Sequence, residues 1–336
     1  MESKTIKILS NIVLLKEDFI NEIFAKPYIV INDISELKDG QQPSDPLLIR
    51  TYELIKHHSS TNVRNIYFPI SQQLNATFKG IAKWLASQYT NPNSVHGFVK
   101  KRGIKTNAEQ HLGCNHLLKL DLENFYEQIS EESIIEALIA IGIDSELSIL
   151  ISKICTVKGS LVQGFSTSPV ISNIISLKLD QELEKYANSN NIVYTRYADD
   201  MSFSSMTIIP NKDEIEKIIN DFNFVLNKDK TKYLKRGFYQ SVTGLTIFDT
   251  IQPRIPKRIK RNLRLEVHYI NKFGMKNHAI RRLAKKGKAN KNPNFEEDLR
   301  KEIITSRLRI IGWINFSNGI EKQFSSKLAS MFNSRV

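Results

Sequence analysis

The segment AsnIleValTyrThrArgTyrAlaAspAspMetSerPheSerSer (191–205) constrains this 336-residue chain more than any other. It reads as two β-type runs on either side of a tight acidic turn at Asp199-Asp200. Neighbouring carboxylates repel, and one of such a pair normally holds a proton. The arrangement becomes favourable when a divalent cation lies between them. A third carboxylate, Asp121, sits at the end of another β-type run, HisLeuLeuLysLeuAspLeu (116–122). Carboxylates on strand ends that converge on one point suit Mg2+, a hard ion that takes oxygen ligands and substrate phosphates. Two such ions about 4 Å apart activate an attacking hydroxyl and stabilise a leaving pyrophosphate. Adjacent aspartates are also common on protein surfaces, so the pair gains meaning only from what surrounds it.

Composition narrows the setting. A length of 336 residues with 41% hydrophobic content supports about two domains with real cores. No stretch approaches the roughly 18 uninterrupted apolar residues of a membrane span. The N-terminal apolar residues are interrupted by Lys and Glu, unlike a signal peptide. Cys114 and Cys155 have neither metal-type spacing nor a disulfide framework. A secreted mini-scaffold, a zinc module and a membrane protein are excluded, and a soluble cytoplasmic protein is expected. The net charge is +13, and it is segregated: 21 of the 48 Lys and Arg but only 6 of the 35 Asp and Glu fall from Ile251 onward. Such a field usually meets a polyanion, because each neutralised phosphate releases condensed counterions. A solvated basic tail is the alternative.

No internal repeat and no long low-complexity stretch is present. Residues 5–25 read as helix, and 31–46, with Asp39-Gly40 and two prolines, as loop. Tyr52–Lys56 and Val63–Phe68 read as strands joined by the polar turn HisHisSerSerThrAsn. Helices are expected over 71–90, Glu131–Ile143, Leu147–Cys155, Ser172–Ala187 and 213–226, and a further strand over 240–248. The middle of the chain thus alternates strands and helices in an α+β pattern. The last 86 residues read as wholly helical. There a helix starting at Pro256 carries Lys257, Lys260, Arg261, Arg264 and His268 on one stripe. Ile259, Leu263, Val267 and Ile270 fall on the opposite side. Such a helix packs by one face and offers cations on the other, either to a phosphate backbone or to solvent.

Taken together in order, these motifs resemble the reverse transcriptases. Tyr197-Ala198-Asp199-Asp200 between β-runs, preceded by Asp121 with an aromatic residue five positions later, is similar to the palm of that family. Gln163-Gly164, then SerThrSerPro (166–169) and a helix, matches its nucleotide-pocket motif. Lys230 in AsnLysAspLysThr (227–231) stands where the family keeps a lysine near the leaving phosphate. Val242-Thr243-Gly244-Leu245 resembles the primer-grip hairpin, and Arg64 the fingers arginine that contacts the triphosphate. The resemblance runs from about residue 50 to 325.

Within that family the chain most resembles the retron enzymes, through AsnAlaGluGlnHis (107–111), ValThrGly (242–244) and the thumb segment GlyTrpIleAsnPhe (312–316). Two departures stand out: Phe165-Ser166 replaces the more usual Ala-Pro, and HisHisSerSer (57–60) replaces a Lys/Gly fingers turn.

The resemblance implies an α+β right-hand polymerase with fingers, a palm of antiparallel sheet plus helices, and a helical thumb. The expected division is 1–95 for N-terminal helices and fingers, 96–249 for the palm with an interleaved fingers segment, and 250–336 for the basic thumb. Asp121, Asp199 and Asp200 would be catalytic and would hold two Mg2+ ions with the backbone carbonyl of Leu122. Asp121 and Asp199 are the first choice as direct ligands and Asp200 the second, since consecutive strand side chains diverge. Arg64, Asn124, Phe125, Tyr126, Gln163, Gly164 and Lys230 would bind the dNTP, with Tyr126 as the ring that clashes with a 2′-hydroxyl. Asn107, His111, Val242, Thr243, Gly244, Lys257, Lys260, Arg261 and Arg264 would contact RNA and primer.

Retron enzymes copy part of a cognate structured noncoding RNA, prime from the 2′-hydroxyl of an internal guanosine, and leave branched RNA–DNA. They commonly act with an effector protein in antiphage defence. No carboxylate-rich domain follows the basic helices, so an RNase H activity is expected from a separate host protein. Two other readings stay open: a defence-associated or group II intron-like reverse transcriptase with different priming, and an RNA and effector scaffold in addition to catalysis.

Overall fold

The computed structural model describes residues 3–36, 45, 47–55, 63–287 and 294–333. The Asp39-Gly40 stretch and the HisHisSerSerThrAsn turn expected from the sequence lie outside these residues. The chain opens with α1 (Ser3–Val13), α2 (Glu17–Ala25), β1 (Ile29–Ile31), β2 (Leu48–Ile55), β3 (Val63–Pro69) and α3 (Gln72–Leu85). It continues through α4 (Ile104–Glu109), β4 (His116–Asp121), α5 (Glu131–Ala140), α6 (Ser145–Cys155), β5 (Thr156–Val157) and β6 (Ser160–Leu161). Next come α7 (Ser168–Ile175), α8 (Leu177–Ser189), β7 (Val193–Tyr197), β8 (Asp200–Ser205), α9 (Lys212–Asp221) and β9 (Lys232–Lys235). The chain ends with β10 (Ser241–Val242), β11 (Leu245–Thr246), α10 (Lys257–Lys285), α11 (Phe295–Ile320) and α12 (Lys322–Asn333). No helix among the described residues is long and apolar enough to cross a membrane.

Two compact units emerge, one of residues 1–103 with 116–233, the other of 104–115 with 234–336. The first is built on the antiparallel order β7-β8-β4, with β9 beside β4. Leu118 faces Phe203 and Leu120 faces Met201 across the β4–β8 register, and all four are buried. Tyr194 and Phe203, opposite each other on β7 and β8, stack with ring centroids 4.7 Å apart. Local chemistry starts the surrounding helices. Ser130 accepts from the Ser133 amide at 3.2 Å to cap α5, and Asp144 accepts from Glu146 and Leu147 amides at 3.0 and 3.2 Å to cap α6. A second sheet pairs β1 parallel to β2 and β2 antiparallel to β3.

Several expectations shift. The helix over 5–25 is two helices, because Leu14 enters the left-handed region at φ 56°. The helix placed at Ser172–Ala187 begins earlier, at Ser168, where Pro169 fits a first turn that has no use for its missing N–H. It then passes through a turn at Ser176 into α8. The single strand over 240–248 is a hairpin of two-residue strands, turned by Thr243 and Gly244 at positive φ.

The second unit packs Leu263, Val267 and Ile270 of α10 against Ile310, Leu328 and Phe332. Its C-terminal stretch is not wholly helical: Thr246 and Arg254 exchange backbone bonds of 2.8 and 2.9 Å before α10 starts. Pro256 is the N-cap of α10 rather than its first residue, and Gly274 breaks the helix into two segments.

Candidate active site

Asp121 is the last residue of β4 and Asp200 the first of β8, and they are partners in the strand register. Directly opposed residues of antiparallel strands share a face, so these two carboxylates start on the same side of the sheet. Tyr197 also pairs with Asp200, leaving Ala198-Asp199 as the turn. The Leu122 amide donates to the Asp199 carbonyl at 3.1 Å, which ties the turn to the end of β4. Three carboxylates are thereby brought together from two strand ends.

Burial first, and then the negative charge of Asp121, push the Asp199 carboxyl above its usual range. Burial also raises Asp200, against the opposing pull of Lys119. Two cations answer this charge. Asn227 caps the 3-10 turn Lys228–Lys230, accepting from the Lys230 amide at 3.3 Å, and so aims Lys230 Nζ at Asp121 Oδ1. Arg64 Nη2 stands 3.9 Å from Asp199 Oδ2. Among the described residues no group of three or more His, Cys, Asp or Glu side chains is placed so as to hold a metal ion. The donor set is nonetheless all oxygen, acidic and crowded, with ammonium and guanidinium groups neutralising two of its members. That chemistry fits a hard divalent ion bound together with a substrate phosphate.

Of the residues expected in a nucleotide pocket, Arg64, Lys230 and Tyr126 stand beside these carboxylates. The Tyr67 amide of β3 donates to the Gln163 carbonyl at 2.8 Å, so Gln163-Gly164 runs alongside the strand that carries Arg64. Tyr126 is half-buried, and its phenol is pushed up to about 12 by burial and then by the charge of Asp199. Phe125 is buried against Phe224, ring centroids 5.6 Å apart, while Asn124 is exposed at φ 41°. Phe165, the departure at the position after Gln-Gly, stacks on Phe78 at 4.3 Å and meets Tyr28 edge-on at 6.1 Å. Phe165 is thus a core side chain.

The residues expected to contact RNA and primer lie in the second unit. The Thr243 hydroxyl donates to the Ile104 carbonyl at 2.9 Å, fastening the β10–β11 hairpin to α4. Asn107 and His111 are each 1% exposed, and Val242 is fully buried. None of these three side chains therefore faces open solvent in the unbound protein. Lys257, Arg261 and Arg264 are exposed on α10 as expected. Lys260 is not a free cation. Its ammonium sits 2.9 Å from Glu321, a buried carboxylate that also accepts from the Ile255 amide at 2.9 Å.

A model of the family "reverse transcriptase (RNA-dependent DNA polymerase)" matches residues 55–270. Retron Ec86 reverse transcriptase of Escherichia coli is 30% identical over 224 residues, covering 66% of this chain and 69% of that enzyme. The chain belongs to the retron-type reverse transcriptases. Retron Mx65 reverse transcriptase of Myxococcus xanthus is 29% identical over 255 residues, covering 65% of this chain but 58% of that enzyme. Among solved structures, telomerase from Candida albicans with a fragment of telomeric RNA aligns at a TM-score of 0.46 and 12% identity, over 95% of this chain and 65% of that one. The antiparallel β7-β8-β4 sheet with its surrounding helices is consistent with the right-hand polymerase fold of this family.

Proposed function

We propose that this reverse transcriptase copies part of a cognate structured noncoding RNA into single-stranded DNA. Synthesis starts from the 2′-hydroxyl of an internal guanosine and leaves a branched RNA–DNA product. The convergence of Asp121, Asp199 and Asp200 with Lys230 and Arg64 carries this reading. The retron relatives supply its template class.

Asp121, Asp199 and Asp200, with the Leu122 carbonyl, would hold two Mg2+ ions, which would supply Lewis-acid stabilisation of the attacking and leaving oxygens. The remaining work belongs to the chain. Lys230 and Arg64 exchange their carboxylate partners for triphosphate oxygens, keeping charge balanced as the nucleotide enters. Gln163, Gly164 and the backbone of Asn124 and Phe125 line the nucleotide. The Tyr126 ring excludes a 2′-hydroxyl, so dNTPs are the substrates. Val242-Thr243-Gly244 steady the primer end, and Lys257, Arg261 and Arg264 track backbone phosphates.

A host RNase H trims the template RNA, and an effector protein of the same locus joins the complex in cytoplasmic antiphage defence. Sequencing nucleic acid that copurifies with the protein tests the reading. It predicts DNA joined 2′–5′ to one guanosine of a single RNA species. DNA beginning at a 3′-hydroxyl or on protein would overturn the priming assignment.

A further inference from the structure

Arg196 heads the fully buried side chains by size, and both it and Asp180 have no side-chain exposure. Its guanidinium grips Asp180 in a fork, Nε to Oδ1 at 2.7 Å and Nη2 to Oδ2 at 2.6 Å. Tyr194 donates its hydroxyl to the same Oδ1 at 2.7 Å. Two further donations leave the fork: Nη2 to Asn173 Oδ1 at 3.2 Å, and Nη1 to the carbonyl of Ala198 at 3.1 Å. That carbonyl belongs to the peptide joining Ala198 to Asp199.

Stability alone is a poor account of this arrangement. A buried ion pair pays a desolvation cost that well-packed apolar residues of similar volume avoid, often with no loss of stability. The surroundings instead converge on the turn. Ala198 is a non-glycine residue at φ 57°, a backbone state that needs support. Gly97 lies against it so closely that a β-carbon there would stand 2.5 Å from the Ala198 amide nitrogen. Asn173 donates to the Gly97 carbonyl at 3.0 Å, and the His96 amide donates to the Arg196 carbonyl at 2.8 Å. Because the peptide unit is planar, pinning the Ala198 oxygen also fixes the amide and α-carbon of Asp199.

We propose that Arg196, locked by Asp180, is a positioning residue: it holds the Ala198–Asp199 peptide so that the Asp199 carboxylate faces Asp121. The inference rests on the polymerase reading above, and it adds a requirement beneath the carboxylates rather than among them.

The test uses two variants. Arg196→Met/Asp180→Leu/Tyr194→Phe replaces the buried polar set with apolar side chains. Arg196→Lys keeps the charge beside Asp180 but lacks the fork that reaches Ala198. The measurements are kcat and dNTP KM in primer extension, template–primer affinity, melting temperature, and Mn2+ binding to the free protein by calorimetry. Both variants should lose kcat by about 10- to 100-fold, as expected for a misplaced reacting group. Both should also bind Mn2+ about tenfold more weakly, with KM and template affinity near wild type. The apolar variant should melt near the wild-type temperature and Arg196→Lys below it, because buried acceptors lose a donor. A folded variant with wild-type kcat and Mn2+ affinity would overturn the proposal, as would failure of both variants to fold, which would assign the network to stability alone. Absence of polymerisation by the wild type would instead strike the functional reading, while Mn2+ binding still tests the positioning role.

Discussion

Gly164 lies against the backbone of Tyr67 so tightly that a β-carbon would stand 2.1 Å from the Tyr67 carbonyl oxygen. Its φ of 113° is also outside the range of an ordinary L-residue. The contact joins the Gln163 segment to the strand carrying Arg64, so this close approach of the two backbones needs glycine here. Gly164→Ala should destabilise the fold by about 1–3 kcal/mol in denaturant titration and raise dNTP KM. A wild-type midpoint and KM would contradict this account of the pocket.

Tyr126 fills space beside the carboxylates without any role for its hydroxyl in exclusion. Tyr126→Ala should lower discrimination against ribonucleotides by about 10- to 100-fold, measured as the ratio of kcat/KM for dNTP and NTP. Tyr126→Phe should leave the ratio unchanged. An active Tyr126→Ala variant that still rejects ribonucleotides would place the gate elsewhere.

Much of this site was legible before the structure. The strands around Asp121 and Asp199 announce themselves because apolar side chains flank an acidic pair that only a short turn can hold. The Asn227 cap is seen only in the structure, and Lys230 beside it is legible only through the resemblance of AsnLysAspLysThr (227–231) to a family motif. Phe165 was not, since a core position that stacks on Phe78 looks from the sequence like a departure from a pocket motif. Arg196 was not, because its partner Asp180 lies on a helix and the pairing is tertiary. The burial of Asn107 and His111 is equally hidden in the sequence: polar residues beside a motif suggest a surface, whereas both are buried where α4 meets the β10–β11 hairpin.

The α10 stripe separates into two kinds of cation. Changing Lys257, Arg261 and Arg264 to Gln should flatten the dependence of log affinity on log salt by up to about three units on the B-DNA relation, less for structured RNA. Lys260→Gln should leave that slope nearly intact and cost about 1–3 kcal/mol of stability, because Glu321 loses a buried partner. An unchanged slope in the triple variant would return this face to plain solvation.

His96 is 4% exposed, and burial, then Arg102, push its imidazole down to about 4. The unfolded ring titrates near 6.5. With the folded value depressed, the neutral ring stabilises the fold fully above about pH 6.5. That contribution, up to about 3 kcal/mol, is lost as pH falls toward 4 and levels below it. His96→Asn should show a flatter stability profile across that window by chemical denaturation. Parallel profiles for the two proteins would contradict the buried neutral ring.

The central claim is that Asp121, Asp199 and Asp200 form the centre of an RNA-directed DNA polymerase. It is tested most directly by extending a DNA primer on an RNA template with dNTPs and Mg2+. Wild type should synthesise DNA, and Asp199→Ala/Asp200→Ala should lose at least about 10³-fold in rate while keeping its affinity for RNA. Both carboxyls are raised in the fold, by burial first, so their ionised forms cost stability at neutral pH and that cost disappears as pH falls below the carboxylate range. The metal-free double variant should therefore melt at or above the wild-type temperature near pH 7. Extension by the double variant at the wild-type rate would contradict the account.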